Sequence, residues 1–162
     1  MKILVKDLEK IYGIKNEFIT YGSNKFDKSK FDSIKNRNFV KPHGGLWSSP
    51  INSEWGWKDW CINNGFREEK LSNWFKFRLR KDSIILIIDN LNDLKELYEI
   101  EKVITSYGDI FPDFEKLSKS FDGILLTDIG ESATRFTHPG LYGWDCESLL
   151  VFNPEVIEEV EE

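Results

Sequence analysis

Two neighbouring stretches constrain the fold more than any other part of this sequence. In "NWFKFRLRK" (73–81), Trp74, Lys76, Arg78 and Arg80 alternate with Phe75, Phe77 and Leu79. That is the two-residue period of a half-buried strand. "SIILIID" (83–89) follows with an unbroken apolar run, as expected of a strand covered on both faces. Only Lys81 and Asp82 separate them, which predicts a hairpin or a corner between two sheets.

Further strands are predicted at "EFITYGS" (17–23), "GLWSS" (45–49), "DGILLTD" (122–128) and "ESLLVFNP" (147–154). Leu4, Leu8 and Ile11 share one face of a short helix over 3–12 that ends at Gly13. Ser53 is placed to cap a helix over "EWGWKDWCINN" (54–64), which Gly65 stops. Helices are also predicted at "LNDLKELYEIEKV" (91–103) and at "PDFEKLSKSF" (112–121), the latter led by Pro112. Residues 24–39 read as an extended polar loop pinned by Phe26 and Phe31. A second loop, of about eighteen residues, spans 129–146, and loops of that length usually carry function. No repeat or low-complexity segment interrupts the chain. The fold class is α+β, a single domain over 1–162 with a split, two-sheet, mostly antiparallel core and flanking helices.

At 162 residues the chain is long enough for one real core. The net charge of −6 is modest, but it is unevenly spread. Lys25, Lys28, Lys30, Lys35, Arg37 and Lys41 make an early basic run, and Glu155, Glu158, Glu159, Glu161 and Glu162 an acidic tail. The basic run reads as a solvated face or as a steering patch for an anionic substrate. Cys61 and Cys146 cannot build a disulfide framework. With no apolar run of membrane-spanning length and no secretory layout at the start, a reduced cytoplasmic setting is expected.

The familiar chemical motifs are missing. There is no phosphate-binding G-x-x-x-x-G-K-[ST] loop, no G-x-G-x-x-G, and no H-E-x-x-H. His43, His138 and the two cysteines lack metal-ligand spacing, so no metal is expected. Two features stand out instead. "KPHGGLWSSP" (41–50) precedes Trp55, Trp57 and Trp60, so that four of the six tryptophans fall within fourteen residues. The crowding suits either a packed corner or a pocket for a flat ring bearing amide and hydroxyl groups. In "GWDCESLLVF", Asp145 and Glu147 are two apart at the head of an apolar run. On a strand they share a face, as a solvated edge or as two carboxylates at the mouth of a site.

Taken in order, these pieces resemble the small mono-ADP-ribosyltransferases of bacterial or phage type. "FITYGSNKF" resembles their first strand, "GGLWSSP" with "GWKDWC" their second strand and following helix, and "WFKFRLRKDSIILIID" the strand pair after it. "DGILL" and "DCESLLVFNPEVI" resemble the end of the fold. The resemblance implies NAD as co-substrate, Glu147 as catalytic carboxylate and Asp145 at the first position of an E-x-E-like motif. It also implies NAD contacts from Tyr21, Gly22 and Ser23 and from Gly45, Leu46, Trp47, Ser48 and Ser49. A tyrosine stands at 21 where histidine or arginine is usual, and Asp145 is shorter than the usual glutamate. Arg135 and His138, on the loop before Glu147, are implied to meet the acceptor, a protein or a nucleic acid. Tyr21, Trp47 and Glu147 are expected around one cleft. An NAD glycohydrolase on the same scaffold and a non-catalytic binding or inhibitor protein remain alternatives. The setting suits a phage or mobile-element effector acting in a host cytoplasm.

Overall fold

A computed structural model describes residues 1–37, 39–105 and 108–161. Glu162 of the acidic tail and Asn38 of the early loop lie outside the described residues. The chain is a mixed α+β structure with one large, mostly antiparallel sheet. In chain order its strands are β1 (Lys2–Leu4), β2 (Phe18–Tyr21), β3 (Leu46–Pro50), β4 (Trp74–Leu79) and β5 (Ile84–Ile88). They continue with β6 (Lys102–Ile104), β7 (Ile110–Pro112), β8 (Gly123–Leu126), β9 (Ser148–Val151) and β10 (Ile157–Glu159). The α-helices are α1 (Leu8–Tyr12), α2 (Trp57–Asn64), α3 (Leu91–Ile100), α4 (Phe114–Ser120) and α5 (Asp128–Thr134).

Eight strands form one hydrogen-bonded sheet in the order β1-β5-β8-β9-β3-β2-β4-β10, and β6 and β7 make a separate hairpin. The two-sheet split expected from the sequence is therefore one continuous sheet. Only β5 and β8 run parallel. β4 and β5, adjacent in sequence, are not paired, so Lys81 and Asp82 carry the chain from one half of the sheet to the other.

Side-chain alternation explains how the open sheet curls. Phe75, Phe77 and Leu79 of β4 share a buried cluster with Ile85 and Ile87 of β5, Leu125 of β8, and Leu149 and Val151 of β9. β4 and β5 stand well apart in the strand order, so they can meet only because the sheet curls around this shared interior. The opposite face of β5, β8 and β9 presents Leu86, Ile88, Ile124, Leu126 and Leu150. α3 and α4 cover it through Leu94, Leu97, Phe114 and Leu117. β5, β8 and β9 thus have apolar contacts on both sides, as the unbroken "SIILIID" requires.

Several local expectations are corrected. The helix expected over 3–12 begins only at Leu8, because residues 2–4 pair with β5 in the register Ile3↔Ile85. α2 starts at Trp57 rather than after Ser53, with the Asp59 carboxylate accepting from the Gly56 N–H at 2.9 Å. Pro112 ends β7, and α4 is capped by Asp113, which accepts from the Lys116 N–H at 3.1 Å. The 129–146 loop is helical over its first part, since the Thr127 hydroxyl accepts from the Gly130 N–H at 3.0 Å and caps α5. The acidic tail is not wholly free: it contains β10, Lys28 pairs with Glu155, and the Glu159 carboxylate accepts from the Phe26 N–H at 2.6 Å.

Candidate functional site

Three of the stretches that carry the resemblance meet at neighbouring strands. β3 lies between β2 and β9, in the registers Ile19↔Ser49 and Ser48↔Leu149. Ser49 is the junction. Its buried hydroxyl accepts from the Trp57 N–H at 2.9 Å, at the start of α2, and donates to the Glu147 carbonyl at 3.0 Å. Trp55 braces the same segment: its carbonyl accepts from the Glu147 N–H at 3.1 Å, and its indole N–H donates to the Asp145 carbonyl at 3.2 Å.

The two carboxylates do not share a strand face. β9 begins at Ser148, and a bend at Cys146 and Glu147 breaks the alternation that would have aligned them. They address opposite ends of α5 instead. Asp145 pairs with Arg135 at 2.9 Å, and Arg135 also pairs with Glu131 at 3.1 Å. Burial opposes the charge on Arg135, yet its bonds to Asp145 and Glu131 raise its pKa. Glu147 faces the other end, where α5 begins at Asp128.

Glu147 is 6% exposed, and among the described residues no cation pairs with it. Burial pushes its pKa above the usual 4.5. The nearby carboxylates of Asp128 and Asp89 add to this, while the Ser53 hydroxyl and the Asp128 backbone N–H pull it back. The buried Ser53 Oγ is near enough to act on this carboxylate, yet among the described residues it meets no partner at full hydrogen-bond geometry. A buried carboxylate left unneutralised costs folding free energy, and such residues gather at functional sites.

Four hollows adjoin around β3. Tyr21, Ser49, Ser53 and Trp57 line one of about 210 Å³. Trp57 also lines a second, of about 240 Å³, together with Lys41, Trp47, Arg67 and Asp145. Lys41 and Trp47 continue into a third, of about 390 Å³, with Lys30, His43 and Gly45. Lys30 and Gly45 lead on to a fourth, of about 160 Å³, with Thr20, Ser23 and Leu46. The expected single cleft is thus divided. Tyr21 and Trp47 open into different hollows, and Glu147 lines neither of those two. Burial, and then Asp59, raise the pKa of Tyr21.

The remaining candidates have visible structural tasks. Ser48 is buried and donates to the Leu149 carbonyl at 3.3 Å. Gly22 donates its N–H to Asn73, and the exposed Ser23 hydroxyl donates to the Lys25 carbonyl at 2.9 Å. Gly44 and Gly45 both have left-handed φ, at +88° and +70°. A Cβ on Gly45 would lie 2.6 Å from the Val151 carbonyl oxygen, so glycine is required to seat this turn on β9. His138 is exposed on the loop after α5, where Arg135 stacks 5.4 Å from the Tyr142 ring. The tryptophan crowding divides similarly. Trp47 meets Trp144 edge to face at 4.7 Å, and Trp57 stacks on Trp60 at 5.2 Å, so each ring braces another while Trp47 and Trp57 also line the hollows.

Sequence reasoning singled out Lys41 only within the basic run and Trp57 only within the tryptophan crowding, and it missed Arg67 as a lining residue. Arg67 carried one usable signal: it follows the Gly65-Phe66 helix stop, where a turn must form. No described helix is long and apolar enough to cross a membrane, and no described cluster of three or more His, Cys, Asp or Glu could hold a metal. Comparison with protein families, curated proteins and solved structures finds nothing that matches the chain.

Proposed function

We propose that the protein is an NAD-dependent mono-ADP-ribosyltransferase, cleaving the nicotinamide–ribose bond and passing ADP-ribose to a protein or nucleic-acid acceptor. The observation that carries this reading is Glu147, a buried carboxylate with no paired cation among the described residues, tied by its own backbone to β3 through Ser49 and to Trp55. Glycosidic cleavage passes through a cationic, oxocarbenium-like state. A fixed anion in a poorly hydrated setting stabilises such charge far better than one in water. The ligand that relieves an unpaired buried carboxylate is a positive charge, and here the substrate develops one.

The hollows on either side of Trp57 support the same reading. They offer aromatic faces from Tyr21, Trp47 and Trp57 and hydroxyls from Ser49 and Ser148, the groups suited to two flat rings joined by sugars. Glu147 lies beside Ser53, which lines the first hollow, so catalysis requires the Ser53 hydroxyl to turn from the carboxylate and yield to the ribose.

The test is incubation of purified protein with NAD labelled in the adenylate half, alone and with a cell lysate. Label on macromolecules is the expected result. Free ADP-ribose alone would assign a glycohydrolase, and intact NAD in both mixtures would overturn enzymatic use of NAD.

A further inference from the structure

The hollow lined by Trp47 and Trp57, which the proposed function gives to one ring of a dinucleotide, carries charge that ring binding does not explain. The protein carries a net charge of −6, yet two exposed cations, Lys41 and Arg67, stand at this cavity. Among the described residues neither has a carboxylate within ion-pair distance. Lys41 Nζ donates to the Gly143 carbonyl at 3.3 Å and lies 5.7 Å from the centre of the Trp47 ring. The Arg67 guanidinium rests 5.0 Å from Phe66. Other basic residues nearby are matched: Lys28 by Glu155, Lys30 by Asp27, Lys35 by Glu115. Arg67 also has φ +48°, a left-handed backbone that glycine or asparagine adopts more readily. An arginine held there places a guanidinium at the cavity mouth at some cost in strain.

Lys41 and Trp47 also line the neighbouring hollow, which holds Lys30 and His43. The volume of about 240 Å³ is on the scale of one flat ring, Trp47 and Trp57 both line it, and Asp145, the carboxylate in the lining, is already paired with Arg135. We propose that this is a binding site for a nucleoside phosphate, its base between Trp47 and Trp57 and its phosphate on Lys41 and Arg67. Aromatic faces hold any base, and paired cations with planar or rotatable donors hold phosphate oxygens. The nucleotide can come from a free dinucleotide or from a nucleic-acid strand. The site is defined by binding alone and does not depend on whether NAD is cleaved.

Calorimetric titration of the full chain with AMP, adenosine, NAD and a short single-stranded oligonucleotide tests it. AMP is expected to bind roughly tenfold or more tighter than adenosine, because adenosine lacks the phosphate that meets the cations. The double variant Lys41→Ala/Arg67→Ala should erase that margin while keeping the adenosine affinity, and Trp57→Ala should weaken both ligands. Both cations are exposed, so an unchanged thermal midpoint is expected and shows that the double variant folds. If NAD exceeds the oligonucleotide in affinity, the site serves a free dinucleotide, and the reverse assigns a strand. Equal binding of AMP and adenosine, no binding of either, or a margin that survives the double variant would overturn the proposal. A protein that binds AMP but leaves NAD intact would retain this site and lose only the transferase reading.

Discussion

The Ser49 hydroxyl donates to the Glu147 carbonyl at 3.0 Å while accepting the Trp57 N–H at 2.9 Å. One buried side chain therefore joins β3, the start of α2 and the bend that carries the carboxylate. Ser49→Ala would leave an N–H and a carbonyl without this partner. A loss of about 2–4 kcal/mol is expected, since each buried group left unsatisfied costs about 1–3 kcal/mol. Denaturant titration checks it, and a change below 0.5 kcal/mol, roughly the scatter of surface substitutions, would mean that the junction is replaced by water.

Glu147→Gln keeps the shape and removes the charge. NAD turnover should fall by roughly 10²–10³, the range for one preorganised electrostatic partner. NAD affinity should change little, because the charge matters most in the transition state. Asp145→Asn should cost less, since Asp145 is already committed to Arg135. Turnover and affinity measured on both variants assign the roles, and full activity in Glu147→Gln would remove this carboxylate from the mechanism.

The same residue makes a prediction for stability against pH. Its folded pKa lies above 4.5 because of burial, so the folded chain holds this proton more tightly than the unfolded one. Its contribution favours folding below the unfolded value and is lost as pH rises through the folded value. Glu147→Gln carries no such penalty. Relative to the parent, the variant should therefore gain stability between acidic and neutral pH. Thermal midpoints at pH 4 and pH 7 give the comparison, and a constant difference would show that the carboxylate is not desolvated.

Arg135 and His138 are separable by their surroundings. Arg135 holds Asp145 and Glu131 in a half-buried network, so Arg135→Ala should destabilise the fold by about 1–3 kcal/mol and reduce every activity together. His138 is exposed and makes no side-chain hydrogen bond among the described residues. His138→Ala should leave stability unchanged and lower acceptor modification more than NAD cleavage. Equal loss of both activities in His138→Ala would assign the loop to NAD rather than to the acceptor.

Gly45→Ala tests the packed-corner account of the paired glycines. The added carbon meets the Val151 carbonyl, and the left-handed backbone is strained for alanine. A destabilisation of about 1–3 kcal/mol is expected, read from the thermal midpoint. A neutral result would mean that the turn moves freely over β9.

The long apolar strands were legible because their burial is written into their alternation: Phe75, Phe77 and Leu79 on β4, and the unbroken 85–88 run on β5. The strands β6, β7 and β10 were not, since three residues carry too little period to stand out from loop. α5 was hidden because "TDIGESAT" combines a cap signal at Thr127 with few apolar positions. The candidate site was legible as residue types but not as directions. A bend at Cys146 and Glu147, imposed by Trp55 and Ser49 from far along the chain, turned two carboxylates toward opposite ends of one helix. The glycines at 44 and 45 suggested room for a ligand, but the Asp32–Ser33 backbone crowds Gly44, and Ile34 and β9 crowd Gly45.

The position of β9 has a kinetic consequence. It is the strand that joins β8 to β3, so without it the ladder falls into two separate pieces, β1-β5-β8 and β3-β2-β4-β10. Residues 46–48 must wait for partners at 149–151, about a hundred positions later in the chain, and contacts of such long range slow folding. Until they arrive, β3 and β8 each present an open edge able to pair wrongly with another chain. Glu147 directly precedes this joining strand, so the carboxylate reaches its buried setting in the same event that unites the sheet. A partly folded chain has no diminished form of this buried carboxylate, and its burial during refolding reports the completion of the fold.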